Sequence, residues 1–187
     1  MKLNEMKFNV AQINLCTEAE GPYKRLAIWF QGCTIGCPGC CNPELQTMRP
    51  AHILTLNELV AIIRKSKKEN AIEGVTFLGG EPTLQNHLAE LSLSIHREGL
   101  GVILFTGYEI NQLNQSIISS VDLIIDGPFI EKLIDQKRNL VGSSNQKIHH
   151  ITDRYTTDMN WFLKRRSSQV EVNVNNDLLF TGDVVVK

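Results

Sequence analysis

Short apolar runs separated by longer amphipathic stretches set the rhythm of this chain. The runs Phe8 to Leu15, Leu26 to Gln31, Gly74 to Leu78, Val102 to Thr106 and Leu123 to Asp126 have strand length and are closed by Gly, Pro or polar residues. Between them, helical periodicity covers about Thr55 to Glu69, Leu84 to Glu98 and Asn111 to Ser119. In the first of these, Leu56, Leu59, Val60, Ile62 and Ile63 form one apolar stripe, and Thr55 with Glu58 has the spacing of a capping box. The alternation predicts βα units around a parallel sheet, an α/β fold whose ligands sit beyond the carboxyl ends of the strands.

The carboxyl-terminal part has a different pattern. Val170 to Val174 and Leu178 to Val186 alternate apolar and polar residues around Asn175-Asn176-Asp177, which predicts a peripheral β-hairpin. The stretch from about Lys132 to Thr157 is polar, carries Gly142-Ser143-Ser144-Asn145-Gln146, and reads as a linker, with His149 and His150 as loop residues.

Composition narrows the class. With 187 residues, 42% hydrophobic and 21% charged, the chain is expected to form a single domain, 1–187, with a core over about 8–150 and an extension over about 155–187. A net charge of −1 supplies no basic field for nucleic acid or an anionic membrane surface, so neither is an expected partner. The longest apolar runs, such as Val102-Ile103-Leu104-Phe105, fall far short of the ~20 residues of a membrane helix. Met1 to Glu5 lack a signal-peptide core, and a cytoplasmic location is expected.

The cysteines carry the chemistry. Three of the five lie in Cys33-Thr34-Ile35-Gly36-Cys37-Pro38-Gly39-Cys40, directly after a predicted strand. Three thiolates must converge on one object, and Gly36, Pro38 and Gly39 keep the backbone out of regular structure while they do so. Iron–sulfur cubanes usually take four cysteines, so a compact trio leaves one iron open. Structural zinc prefers two ligand pairs, and neither Cys16, Cys41 nor the histidines supply a recognisable second pair. On spacing alone the loop is an iron–sulfur site, a zinc site or an unmetallated redox loop. Cys16 reads as a small buried strand residue, and Cys41, directly after Cys40, is poorly placed to chelate the same metal.

The remaining motifs follow the predicted strands: Gly79-Gly80-Glu81-Pro82, Thr106-Gly107-Tyr108 and Asp126-Gly127-Pro128-Phe129. In a parallel sheet all of them meet the cysteine loop at one edge. Taken singly each is an ordinary turn or strand exit, and Asp126 reads first as a strand-ending residue.

The order Cys33-x-x-x-Cys37-x-x-Cys40, then Gly79-Gly80-Glu81-Pro82 at the next strand end, resembles the radical S-adenosylmethionine (SAM) superfamily. Phe30-Gln31-Gly32-Cys33, Pro38-Gly39-Cys40-Cys41-Asn42-Pro43-Glu44, Asp126-Gly127-Pro128-Phe129 and Gly142 to Gln146 make the chain most similar to its small glycyl-radical activases. The resemblance implies a partial (β/α) barrel of the radical SAM type with a C-terminal β-hairpin extension. It implies a [4Fe–4S] cluster on Cys33, Cys37 and Cys40, with S-adenosyl-L-methionine on the fourth iron. Gly79, Gly80, Glu81, Pro82, Thr106, Tyr108 and Asn145, with Gln146 beside it, are the implied cofactor-binding residues, and Asp126 a candidate catalytic one. The implied reaction is reductive cleavage of SAM to a 5′-deoxyadenosyl radical. The implied partners are a glycyl-radical enzyme, anaerobic ribonucleotide reductase, and a flavodoxin-type electron donor. Modification of another protein or a peptide is the alternative within the superfamily; a non-catalytic iron–sulfur or zinc protein is the alternative outside it. Two departures stand out. Gly39 occupies the place where the superfamily often has an aromatic residue, and Leu140-Val141-Gly142-Ser143 has no arginine directly before its glycine.

Overall fold

The computed structural model describes residues 5–164 and the backbone of 170–174 and 178–182. Seven strands form one sheet: β1 (Lys7–Thr17), β2 (Arg25–Phe30), β3 (His52–Thr55), β4 (Gly74–Gly79), β5 (Gly101–Phe105), β6 (Leu123–Asp126) and β7 (Lys147–His150). Their order is β3-β1-β2-β4-β5-β6-β7. β2, β4, β5 and β6 run parallel, as the predicted βα units require. β1 pairs antiparallel with β2 and β3, and β7 antiparallel with β6. The central strands are nearly continuous apolar runs because both faces are covered; all six residues of β2 are buried.

One face of the sheet carries α1 (Leu56–Asn70) and α2 (Leu88–Arg97). Leu56, Leu59 and Ile63 of α1 and Leu88, Leu91 and Ile95 of α2 pack on Phe8, Leu26, Ile28, Phe30, Val75, Phe77, Val102 and Leu104. Each such side chain contributes about 1.5–3 kcal/mol when fully buried, which is why the apolar stripe fixes where α1 docks. The Thr55 side chain accepts from the Glu58 N–H while the Glu58 carboxylate accepts from the Thr55 N–H at 2.7 Å, completing the expected capping box. The opposite face carries a smaller cluster, in which Ile103, Leu123 and Ile125 lie under Val141, Tyr155 and Phe162. Tyr155 and Phe162 are completely buried, so the start of the predicted extension belongs to the core. Phe162 sits on α4 (Met159–Leu163).

Three expectations shift. The second helix starts at Leu88 and not Leu84, because Pro82–Leu84 is a 3-10 turn and the Gln85 side chain is drawn away to accept from the Asn9 N–H at 2.9 Å. The third helix shrinks to α3 (Gln115–Ile118), since the Asn114 side chain caps the Ser116 N–H and stops helix from extending backwards. His52–Thr55 and Lys147–His150 are strands, so His149 and His150 are sheet residues and not loop residues. Neither segment has an alternating pattern of its own; each is held by the backbone of a neighbour. Val170–Val174 and Leu178–Gly182 pair antiparallel as a separate two-stranded sheet, and the turn expected at 175–177 lies outside the described residues.

Candidate cluster and cofactor site

The cysteine loop leaves the carboxyl end of β2 through Gln31 and Gly32, and its base is pinned from below. The Gln31 side chain, nearly buried, donates to the carbonyls of Thr47 at 2.8 Å and Glu44 at 3.3 Å. The Gly32 and Cys33 N–H groups donate to Leu45 and Gln46 carbonyls at 2.8 and 3.2 Å. Pro43, which needs no N–H partner, opens the 3-10 turn Pro43–Gln46 that presents those carbonyls. Sequence reasoning did not find this floor.

Cys33, Cys37 and Cys40 are half-buried free thiols along the loop. Burial, first of all, pushes the Cys37 thiol above its ordinary value; the charges of Cys40 and Cys33 push the same way, and the Phe129 backbone N–H opposes them by donating to its sulfur. Among the described residues, no three His, Cys, Asp or Glu side chains stand close enough to hold a single metal ion. Cys41, which the resemblance implied would pack, is exposed instead. Cys16 sits half-buried in β1 against the core.

The next strand end lies against this loop. Gly79, at φ +115°, and Gly80 bring the β4 exit so close that a Cβ at Gly79 would meet Phe30 backbone at 2.4 Å. One at Gly80 would meet the Gly32 carbonyl oxygen at 2.3 Å. The Gly80 N–H donates to the Phe30 carbonyl at 2.9 Å, and the Glu81 N–H to the Gly32 carbonyl at 2.8 Å. Pro82 follows, buried, in the first position of its 3-10 turn.

Glu81 is fully buried, and its carboxylate is well occupied within the chain. Oε1 accepts from the Thr83 N–H, the Thr83 hydroxyl and the Thr106 hydroxyl at 3.0, 2.6 and 2.9 Å, and Oε2 from the Gly107 N–H at 2.9 Å. Burial pushes its pKa above the ordinary carboxylate value despite those four donors. The side chain therefore ties the β4 exit to the β5 exit, and it is the flanking backbone that remains for a ligand. The β5 exit in turn holds the cysteine loop: the Tyr108 and Thr34 hydroxyls are 3.1 Å apart, and a Cβ on Gly107 would lie 2.5 Å from Ile35 Cδ1.

Asp126 ends β6 and is almost buried. Its carboxylate accepts from the Ile110 N–H at 2.7 Å and lies 3.1 Å from His149 Nε2, which gives it the strand-ending role. Beyond it, Asn145 and Gln146 donate to the Pro128 and Gly127 carbonyls at 2.8 and 2.9 Å. Asn145 Oδ1 is buried with no partner in the chain. A buried orphan acceptor is uncommon and is the kind of group that a ligand N–H or O–H satisfies. Glu131, which sequence reasoning passed over, lies across Gly39, its Cδ 2.8 Å from where a Cβ would stand.

The four motifs expected at one sheet edge are therefore brought together there. Three thiols, a backbone cradle lined by glycine and an orphan acceptor fit a cluster with a small polar ligand beside it. Among the described residues, no helix is long and apolar enough to cross a membrane.

A family model described as a 4Fe-4S single cluster domain matches residues 19–149. The chain is 30% identical over 142 residues to the anaerobic ribonucleoside-triphosphate reductase-activating protein of Salmonella typhimurium, covering 70% of this chain and 91% of that one. To the protein of the same name from Enterobacteria phage T4 it is 30% identical over 154 residues, covering 78% and 96%. To that of Escherichia coli K12 it is 27% identical over 142 residues, covering 70% and 91%. Among solved structures, QueE from Escherichia coli aligns with a TM-score of 0.47 at 14% identity, over 65% of this chain and 71% of that one.

Proposed function

The chain belongs to the 4Fe-4S single cluster domain family and to the activase family of its curated relatives, and from that premise we propose that it cleaves S-adenosylmethionine reductively to place a glycyl radical on an anaerobic ribonucleoside-triphosphate reductase. The observation that carries this reading is the docking of the Cys33–Cys40 loop on the Gly79–Pro82 and Thr106–Tyr108 turns at one sheet edge.

Cys33, Cys37 and Cys40 would hold three irons of a [4Fe–4S] cluster. A cluster held there would supply the electron for reductive cleavage of SAM, chemistry that would allow a hydrogen atom to be taken from a glycine of the partner. The chain's own residues bind and orient. Gly79 and Gly80 let the β4 exit close onto Phe30 and Gly32, which sets the exit's backbone beside the cysteine loop for the methionine end, and Pro82 fixes the turn. Glu81 acts from behind by holding Thr106 and Gly107, while Thr106 and Tyr108 border the ligand space. Asn145 Oδ1 offers its free lone pairs to a donor on the adenosine. Asp126 orders the turn before α3 and moves no proton. The sheet's open arrangement fits a partial (β/α) barrel whose mouth admits a partner loop, and the five free thiols fit a reducing, cytoplasmic setting with a flavodoxin-type donor.

Anaerobic reconstitution with iron and sulfide, reduction by dithionite and addition of SAM tests the reading. The expected outcome is 5′-deoxyadenosine, lost in Cys37→Ala, and a glycyl-radical signal once the reductase is added. A spectroscopically intact cluster that yields no 5′-deoxyadenosine refutes it; 5′-deoxyadenosine without a radical on the reductase redirects it to another protein or peptide.

A further inference from the structure

Asn9, on β1, stands where three segments of the site meet. It precedes Val10, which lies opposite Phe30 at the end of β2. Its carbonyl accepts from the Gln31 N–H at 2.9 Å, and its own N–H donates to the side chain of Gln85, just after the Gly79–Pro82 turn. The side-chain amide is fully engaged as well. Nδ2 donates to the Arg49 carbonyl at 3.1 Å, and Oδ1 accepts from the Ala51 N–H at 2.8 Å. A carbonyl on one side and an N–H on the other fix which way the amide points. Pro50, between them, has no N–H of its own to pair.

Those two bonds close the far end of the floor under the cysteine loop. The Gln31 side chain holds the near end, at the Glu44 and Thr47 carbonyls. The stretch between carries the Leu45 and Gln46 carbonyls, which accept from the Gly32 and Cys33 N–H groups. The Leu45 oxygen also abuts Gly80, 2.8 Å from where a Cβ would stand. None of Pro43–Gln46 is buried, and Met48 is 61% exposed. With so little apolar surface covered, the floor keeps its place through polar ties at its two ends, the mark of a segment that opens locally when a tie is cut.

We infer that Asn9 is a positioning residue: its side-chain amide locks the 43–51 floor beneath Gly32 and Cys33 and so governs how firmly iron is retained at Cys33. The inference rests on the reading of Cys33, Cys37 and Cys40 as cluster ligands. Iron leaves to a chelator through the same local opening that exposes the Gly32 and Cys33 amides, so one population sets both rates. Replacing Asn9 by alanine removes the two side-chain bonds and leaves its backbone bonds to Gln31 and Gln85 in place. A side chain that only braced β1 would lower the unfolding midpoint and leave those two amides as they were.

The experiment compares wild type, Asn9→Ala and Asn9→Asp, with Thr55→Ala as a control that lowers stability through the α1 cap and touches no part of the floor. Two rates are read without SAM: amide hydrogen exchange at Gly32 and Cys33 in cluster-free protein, and anaerobic release of iron from loaded protein to ethylenediaminetetraacetate. Asn9→Ala is expected to accelerate both by about tenfold, the loss of two exposed neutral hydrogen bonds at the low end of their net worth. Asn9→Asp keeps the acceptor for Ala51, loses the donor to Arg49 and is expected to accelerate both roughly threefold. Thr55→Ala is expected to lower the unfolding midpoint with both rates unmoved. Should Asn9→Ala fail to fold, Asn9→Asp carries the same expectation at its smaller size. Wild-type exchange at Gly32 and Cys33 in the folded variants overturns the inference and leaves the cluster reading intact, as does accelerated exchange with wild-type iron release. Failure of wild type itself to load a cluster overturns both.

Discussion

Replacing Gly80 by alanine isolates the contact that joins the two principal motifs. Unlike Gly79, Gly80 has no left-handed backbone angle, so the added methyl costs through space alone. Its Cβ would lie 2.3 Å from the Gly32 oxygen, 2.7 Å from the Gly32 carbon and 2.8 Å from the Leu45 oxygen. All three are backbone atoms, so no rotamer change relieves the overlap. Overpacking of this kind costs roughly 1–3 kcal/mol. Moving the strands apart also stretches the Gly80-to-Phe30 and Glu81-to-Gly32 bonds, each worth about 1 kcal/mol. The expected loss is about 3–5 kcal/mol, a Tm drop of roughly 6–20 °C for a chain of this size, measured by urea and thermal unfolding of cluster-free protein. Gly36→Ala is the matched opposite. At φ +65° with nothing within 4 Å of its Cβ, it carries only the backbone penalty of about 1–2 kcal/mol. The two variants should also differ in cluster loading, since only the first displaces Gly32, next to Cys33. A Gly80→Ala protein within 1 kcal/mol of wild type would refute the close approach and the argument built on it.

At the far end of the sheet, Arg25 is fully buried and donates to the Thr76 hydroxyl, the Val75 carbonyl, Glu73 and the Tyr155 hydroxyl. Arg25→Ala removes these buried charge-assisted bonds, leaving Glu73 to Arg154 and the Tyr155 hydroxyl, and is expected to cost about 3 kcal/mol by urea unfolding, with iron content on reconstitution unchanged because the loop is roughly 20 Å away along β2. Thr55→Ala removes the α1 cap and should cost about 1 kcal/mol, read from the same unfolding curves with no effect on SAM cleavage. Asp122 accepts from the Val102 N–H, the Thr152 hydroxyl and His96 at 2.8, 2.7 and 2.9 Å. Burial opposes its ionisation, but these donors outweigh it and hold the carboxyl below its usual value. Its folded pKa is depressed, so its contribution is complete above the ordinary value of about 4 and is lost as pH falls through the folded one. Unfolding midpoints measured from pH 6 to pH 2.5 should show Asp122→Asn losing less stability than wild type over that acid limb; equal acid sensitivity refutes the assignment.

The legible part of the site was the part built from unusual residues in local sequence. Cys33, Cys37 and Cys40 within eight residues, and two adjacent glycines before Glu81-Pro82, are chemical signals that need no partner to be noticed. The role of Gln31 carried no such signal: it is a common polar residue whose meaning comes from the Thr47 and Glu44 carbonyls that reach it only after folding. Glu81 shows the same limit from the other side: its position was evident, but its carboxylate is spent on Thr83, Thr106 and Gly107, contacts up to 26 residues away.

Sequence alone determined the parallel centre of the sheet, the capping box of α1 and the edge at which the motifs meet. Those follow from local periodicity and from the rule that βα units place every strand end on one side. Tertiary structure decided the rest: that His52–Thr55 and Lys147–His150 become strands, that Tyr155 and Phe162 close the second face, and that the Glu81 carboxylate is taken up by Thr83, Thr106 and Gly107. In each case the stabilising groups are backbone donors and acceptors or apolar surface supplied by distant segments, and no local pattern encodes a partner that only the fold brings within reach.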